Sequence, residues 1–530
     1  MSVVDDTVEV TPSGIGISAV RPDGKEKVKG DFIFSSDLSS EGMLWGQTLR
    51  SPHSSAKILS IDISDALTIS GVHAVLTADD VPGENIFGLE RADQPVLADA
   101  FIRYAGEPVA IVAADHPEVA RKATDAIKVE YEILSPLIDS YEAITAKAIH
   151  PEGNVIRHLN IVHGGTEAVG DVIVEGEYEV GMQDQAFMGT ESGMAIPSPD
   201  GGIDLQISTQ WLHSDQEQVA TALNMPIEMV RVTLAGVGGA FGGREDVSMH
   251  VHLCMLALYT GKPVKMVYDR NESFLGHVHR HPAKIWYRHH ASSEGRLIKV
   301  EAKVILDGGA YASTTSAVLA NACCFSIGPY SVPNALVEGW GVRTNNPPCG
   351  AMRGFGNVQT CFAVEAQMDK LAKELNLDPV EFRLKNALKP GDTIITGQKI
   401  TGTAPVRDVL VSLANHPLPG PPIDDILERP GGTGRTTDGN HVKRGIGFAA
   451  SIKNLMFSEG FDDFSEARCI VDDGFISIQT ACVEVGQGFV TLVHQIVQEV
   501  LGIEKVNILP ADTSIGSAGS TSASRQSWMS

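Results

Sequence analysis

The chain has 530 residues, enough for roughly three to four domains, each with its own core. Its 41 basic and 66 acidic residues leave a formal net charge of −25, which repels phosphate backbones and argues against nucleic-acid binding. Seven irregularly spaced cysteines with no C-x-x-C pair point away from a disulfide framework, a zinc ribbon or a Cys-ligated cluster, and no apolar run spans a bilayer.

The first ten residues, MSVVDDTVEV, are acidic and have no apolar core of a secretory signal, so a soluble, cytoplasmic protein is expected. After an N-terminal segment, 1–25, residues 26–135 read as one α/β unit. PVAIVAA (108–114) has the pattern of a buried strand; Asp115 offers a helix cap and Pro117 sits in the first turn. A strand at 129–134 follows, then a connector, 136–165. Residues 166–415 alternate strands and helices. A strand at 204–208 leads to a capping box, Ser214-Asp-Gln-Glu217, and a helix ending near Asn224. A strand at 230–234 runs into a glycine-rich loop, a buried helix covers 248–260, another covers 358–375, and Asp378 caps the next. Residues 416–443, rich in Pro and Gly, read as a linker. From 444 to 530 paired strands at 467–471 and 475–480 precede a helix at 489–501.

Three glycine-bearing loops carry the chemistry. In Gly236-Val-Gly-Gly-Ala-Phe-Gly-Gly-Arg-Glu245, closely spaced glycines let bare backbone N–H groups approach a ligand. Strict G-x-G-x-x-G fails because Phe241 stands where the third glycine belongs, and no strand-end acid follows as in a dinucleotide fold. A structural glycine turn is the plain alternative. Cys349-Gly-Ala-Met-Arg353-Gly-Phe355-Gly356 places an arginine before a helix N-terminus, where an anion is favoured. Glu484-Val-Gly486-Gln487-Gly488 opens directly into a helix, whose unpaired N–H groups and dipole favour a negative ligand. His277, His279 and His281 alternate along an extended stretch. No cysteine or acid is expected to complete a metal set, so a half-exposed strand is the expected reading.

Taken together, STQ (208–210), GVGGAFGGRED (236–246), NNPPCGAMRGFG (345–356) and EVGQG (484–488) resemble the large subunit of the molybdenum hydroxylases, the family of xanthine dehydrogenase, aldehyde oxidase and nicotinate dehydrogenase. The wording of GDFIFSSDL and EGMLWGQTLRSPH is most similar to bacterial D-type subunits of that family. The resemblance implies a mixed α/β (α+β) fold: an a/b hammerhead domain at 26–135, a first molybdopterin-binding domain at 166–415 and the start of a second at 444–530.

By the same resemblance, Gln210 bonds a molybdenum oxygen, the backbone amides of Phe241 and Gly242 face the metal's oxo group, and Gly239 of the same loop binds the cofactor. Arg353 approaches the active centre, with Phe355 as the pocket aromatic. Gly486, Gln487 and Gly488 contact the pterin, and Ser522, Ala523, Ser524 and Gln526 hold it and its phosphate. The metal is then held by the pterin dithiolene, with molybdopterin or its cytosine dinucleotide as cofactor. Glu245 matches the glutamate that binds a purine ring; its plain alternative is a surface residue in an R-E-D salt-bridge cluster. Asn321 stands where the family's second polar substrate residue, an arginine, is expected.

The implied reaction transfers water-derived oxygen to an electron-poor carbon of a purine or similar N-heterocycle. Nicotinate-like or aldehyde substrates are the alternative. The family's base is a glutamate in a downstream G-E-P motif, expected outside these residues; Gly106-Glu107-Pro108 belongs to the hammerhead unit and is assigned no catalysis. A separate C-terminal molybdopterin subunit, or a truncated remnant without activity, would account for this. Iron–sulfur and FAD subunits are the implied electron-accepting partners.

Overall fold

Seven successive residues, Pro108–Ala114, form a strand that is buried along its whole length. Such a run needs cover on both faces. In the computed structural model, which describes residues 14–417, 445–455, 465–472, 475–503 and 506–516, that cover comes from two parts of the chain. The strand pairs antiparallel with Leu44–Arg50 and with Val72–Leu76. Leu44–Arg50 in turn pairs parallel with Val264–Val267, and the ladder continues through Ser192–Pro197 and Ile203–Ile207 to Val230–Leu234. One seven-stranded sheet therefore joins the hammerhead region to the chain that follows it. The helix His250–Thr260 packs on this sheet, with Leu253, Cys254, Leu256 and Ala257 fully buried. Gly261 ends it in the left-handed conformation.

A second sheet has five strands, in the order Val155–His163, Ala335–Val342, Leu297–Asp307, Ala283–Ala291 and Val172–Val180. Helices Thr315–Cys324 and Asn357–Glu374 bury Val318, Leu319, Val364 and Met368 in the core they share with it. A small sheet of Ala56–Asp62, Phe101–Ile102 and Lys128–Ile133 completes the hammerhead region. Another, of Ala467–Asp472, Phe475–Thr480 and Val506–Ile508, packs with helix Phe489–Leu501. The architecture is the expected mixture of helices and sheets. Of the expected linker only 416–417 falls among the described residues, and Ser522, Ala523, Ser524 and Gln526 lie outside them. No helix among the described residues is long and apolar enough to cross a membrane.

Two helix starts differ from expectation. His116, not Asp115, caps Pro117–Ala126, its ring nitrogen accepting from the Glu118 N–H at 3.2 Å. Ser214 begins no capping box, because the helix already starts at Leu212. Asp215 is fully buried there and accepts from the Thr209 hydroxyl, and the first turn begins three residues earlier than expected.

Arg343, at the end of strand Ala335–Val342, is fully buried and binds Asp93 at 2.8 Å and Glu152 at 2.8 Å. Asp93 belongs to the hammerhead region and also accepts the Ala312 N–H at 3.0 Å. Glu107 is likewise buried. It accepts from the Arg103 N–H at 2.6 Å and from the Tyr311 hydroxyl, and burial pushes its carboxyl up to about 7. Its side chain thus ties two regions together, a structural use that fits the absence of a catalytic assignment.

Candidate cofactor and substrate site

The glycine loop at 236–243 owes its path to contacts no side chain would permit. Gly238 and Gly189 lie back to back, and a Cβ on Gly238 would come within 2.7 Å of the Gly189 backbone. Gly242 has φ +99°, and a Cβ there would meet the Ala351 carbonyl oxygen at 2.8 Å. The first and second glycine loops therefore touch through bare backbone. The Arg353 N–H donates to the Phe241 carbonyl at 2.8 Å and completes the junction. Phe241 itself, with φ +53°, turns its ring outward and is about half exposed.

Arg244 holds this loop from behind. Its guanidinium donates to the Gly239 carbonyl at 2.9 Å, to the Ser208 hydroxyl at 2.6 Å and to the Gly189 carbonyl, and stacks over the Phe187 ring at 4.1 Å. Burial lowers its pKa to about 10, with Glu191 pulling the other way. The R-E-D triplet is not a surface cluster. Arg244 and Glu245 are 4% and 3% exposed, and Asp246 bonds the Ser313 hydroxyl at 2.8 Å. Burial raises the Asp246 carboxyl to about 6. Glu245 faces the cavity instead.

That cavity, about 1690 Å³, brings most of the sequence candidates together. Gln210, Gly239, Phe241, Gly242, Glu245, Arg353, Phe355, Gly486 and Gln487 all line it. Gln210 reaches the loop directly, its carbonyl oxygen accepting from the Gly242 N–H at 3.0 Å. Gly488 stands one residue behind the wall, as the cap of helix Phe489–Leu501. The open N-terminus expected at 484–488 is taken by the chain itself. Glu484 accepts from the N–H groups of Gly486 at 2.8 Å, Gly488 at 3.1 Å and Val490 at 3.0 Å. The preference of a helix N-terminus for negative charge is thus met internally.

Five further polar or charged residues stand in the wall, four of them without any sequence signal. Arg21 and Lys27 come from the N-terminal segment; Arg21 bonds Glu484 at 3.0 Å and the Gly486 carbonyl at 2.9 Å. Ser35 takes part through its N–H, which donates to the Gly236 carbonyl at 3.0 Å. Asn321, 3% exposed, lines the cavity with a carboxamide oxygen that meets no donor among the described residues. Lys453 enters from the region beyond the linker. The resemblance had already placed Asn321 at a substrate position; a lone basic residue or serine carries no spacing pattern, so only the folded chain reveals the other four.

The histidines form no half-exposed strand. His277 and His279 are buried with their rings stacked 5.2 Å apart, and Asp184 joins them; the ligand atoms of the three lie within 4.8 Å of one another. An acid does complete the set, but from far upstream in the chain. His281 turns away to the Thr315 hydroxyl at 2.9 Å. Protons account for the cluster's ring contacts. His277 Nδ1 faces the Ser273 carbonyl at 2.5 Å and Glu191 at 3.1 Å, while Nε2 faces Asp184 and Gln185 at 3.2 Å each. Acceptors at both ring nitrogens suit an imidazolium. Burial alone would lower the pKa, but the bonds to Asp184 and Glu191 outweigh it and raise it to about 9. Gln185 donates on to the Ala351 carbonyl at 2.8 Å, so the network braces the second glycine loop.

A pH test follows. The folded His277 value lies above the ~6.5 of an unfolded histidine, so its stabilisation is complete below about pH 6.5 and is withdrawn as pH rises through about 9. Asp184 and Glu191 are shifted down, so their contribution fades as pH falls through the acid range. The apparent Tm of the chain should fall between about pH 7 and 9.5, on the order of 3 kcal/mol being at stake, and His277→Gln should flatten that limb. An unchanged slope in the variant would refute the charged-histidine account.

Comparisons with known proteins identify the domains that carry this site. The family model for the a/b hammerhead domain of aldehyde oxidase and xanthine dehydrogenase matches residues 29–135. Models for the molybdopterin cofactor-binding domain match 149–387 and 426–530. The chain is 36% identical over 517 residues to a probable xanthine dehydrogenase component, of the D type, from Bacillus subtilis, covering 96% of this chain and 68% of that one. It is 37% identical over 401 residues to a nicotinate dehydrogenase large molybdopterin subunit of Eubacterium barkeri, covering 75% and 94%. The fold is similar to that of the aldehyde oxidoreductase from Desulfovibrio gigas, with a TM-score of 0.82 and 26% identity over 96% of this chain. The match spans 57% of that chain's length.

Proposed function

Because this chain belongs to the xanthine dehydrogenase and aldehyde oxidase family, with molybdopterin cofactor-binding domains, we propose that it is the cofactor-holding subunit of a molybdenum hydroxylase acting on a purine such as hypoxanthine or xanthine. One observation carries the reading: three glycine turns, far apart in sequence, line one cavity whose wall also holds a buried carboxylate, Glu245, and an aromatic, Phe355.

The residues present fit the cofactor. Without side chains at Gly239 and Gly242, the loop closes on Phe187 and on the Ala351 backbone, which brings its own backbone to the cavity wall where a group can be held closely. No histidine or cysteine is among the described residues that line the cavity, so a metal there would bring its ligands with it, as the pterin dithiolene does. The Gln210 carboxamide, its oxygen held by the Gly242 N–H, and the Phe241 amide would orient the metal end. Arg353, Gly486 and Gln487 would face the pterin from the wall, with Gly488 supporting that turn from behind, and Ser522, Ala523, Ser524 and Gln526 expected to complete its seat, in either the molybdopterin or the cytosine dinucleotide form. When bound, the cofactor supplies a two-electron oxidation with water as the oxygen source. The chain's own work is to hold the substrate ring against Phe355, to accept a ring N–H at Glu245 and to exclude water with the loop walls. Iron–sulfur and FAD subunits would carry the electrons away in the cytoplasm, and a base glutamate would come from outside these residues.

Co-expression with such partners tests the reading. The purified complex should contain molybdenum and pterin in equal amounts, by elemental and fluorescence analysis, and should oxidise hypoxanthine in preference to nicotinate or an aldehyde. Glu245→Gln should cut kcat/KM for hypoxanthine about 10- to 100-fold, as loss of a charge-assisted hydrogen bond does, with metal content unchanged. Material with neither molybdenum nor pterin would refute the proposal. A preference for nicotinate would move the substrate to the pyridine carboxylates, in line with one relative's name.

A further inference from the structure

Residues 14–36 are bonded to the third glycine turn at one end and to the first at the other. Gln495, on the helix that the third turn opens, donates its Nε2 to the carbonyls of Gly14 at 2.8 Å and Ile17 at 2.9 Å. At the other end the Ser35 N–H holds the Gly236 carbonyl, and a Cβ on Gly236 would run into the Ile33 carbonyl oxygen. Ser35 is buried, its hydroxyl 2.6 Å from that of Ser192, so this end is anchored. No residue from 14 to 34 is fully buried, the helix Gly24–Lys29 included. Polar contacts, not packing, therefore join this stretch to the third turn.

Arg21 is where these contacts concentrate. Its Nη1 donates to the Gly486 carbonyl at 2.9 Å and its Nη2 to Glu484 at 3.0 Å, while Nε and Nη2 grip Asp23. Glu484 in turn accepts the three N–H groups that shape the turn, and among the described residues Arg21 is the cation that pairs with it. A carboxylate shared by three amides holds its place best when its charge is met. Arg21 meets that charge and grips the backbone of the same turn through Gly486. A planar fork can serve such separate acceptors at once, whereas an ammonium has no fixed geometry for them. All three guanidinium nitrogens are engaged within the chain, so Arg21 acts through the turn although it lines the cavity. We propose that Arg21 is a positioning residue of the cofactor site. It fixes the third glycine turn to a stretch whose other end is bonded to the first, and so sets how far apart the two turns stand. The proposal rests on the cofactor reading above, since the pterin is what the two turns would share.

Pterin release from the co-expressed complex tests this. After gel filtration, free pterin followed by fluorescence should appear about tenfold faster in Arg21→Met than in wild type, the scale of one hydrogen bond to a charged group. Arg21→Lys, which keeps the charge without the fork, should fall between them. The Arg21 side chain is 30% exposed, so added salt should speed release from wild type more than from Arg21→Met. Glu484→Gln should also release pterin faster, and the double variant should be no faster than the quicker single one, because both act through one contact. In complex made by cells that lack the pterin, Arg21→Met should leave the apparent Tm within about one degree of wild type, since a part-exposed ion pair adds little to folding. Release at the wild-type rate, or additive effects of the two substitutions, would overturn the role of Arg21. A fall of several degrees in the cofactor-free Tm would make Arg21 a general brace of the fold and overturn it too. A wild type that holds neither pterin nor molybdenum would instead overturn the cofactor reading beneath it.

Discussion

Gly242→Val should strip the purified complex of its cofactor, with molybdenum content falling by roughly tenfold or more from wild type, since two effects of a few kcal/mol add. The residue sits at φ +99°, where a side chain costs about 1–3 kcal/mol of backbone strain, more if β-branched. Its Cβ would also press on the Ala351 carbonyl at 2.8 Å, backbone against backbone, with no flexible tip to yield. The loop 236–243 must then part from 351–353, which separates Gln210 and the Gly242 amide from Arg353. The rest of the core is distant, so far-ultraviolet circular dichroism should stay close to wild type. Gly242→Ala should fall between the two. Retention of molybdenum in the valine variant would show that the junction of the two loops does not hold the cofactor.

The second large effect is on stability. Arg343→Met should lower it by about 3–5 kcal/mol, because it leaves Asp93 buried without its counter-charge. The Ala312 N–H still donates to that carboxylate in the variant but brings no charge. Asp93→Asn combined with Arg343→Met should recover part of the loss, since the buried charge itself is then gone. Apparent Tm by differential scanning fluorimetry reads all three proteins. A double variant no better than Arg343→Met would mean that lost packing, not a stranded charge, sets the penalty.

What could be read in advance depended on distance along the chain. The strand Pro108–Ala114 announced itself by seven contiguous apolar or small residues, and the helix Phe489–Leu501 by its apolar spacing; both signals are local. The three loops were visible as motifs for the same reason. Their convergence was not, because it depends on Gly189 meeting Gly238 and Ala351 meeting Gly242, contacts that leave no trace in spacing. Ser214 misled because a capping box describes the backbone alone, whereas the buried Asp215–Thr209 bond decided where the helix begins. His277 misled in the opposite way. Its alternation with His279 was real, but the partners that define its chemistry, Asp184 and Glu191, lie far upstream. Lys453 and Arg21 were invisible for want of any pattern.

The seven-stranded sheet has a bearing on how such proteins can be recombined. Leu44–Arg50 belongs to the hammerhead by chain order and by its pairing with Pro108–Ala114, while its other edge pairs with Val264–Val267. Severing the polypeptide after residue 135 would leave each fragment with a raw ladder edge, open to strand addition by any neighbour. A hammerhead transplanted between homologues should therefore travel with its flanking strands, and chimaeras joined at that seam should precipitate where those joined in an exposed turn do not.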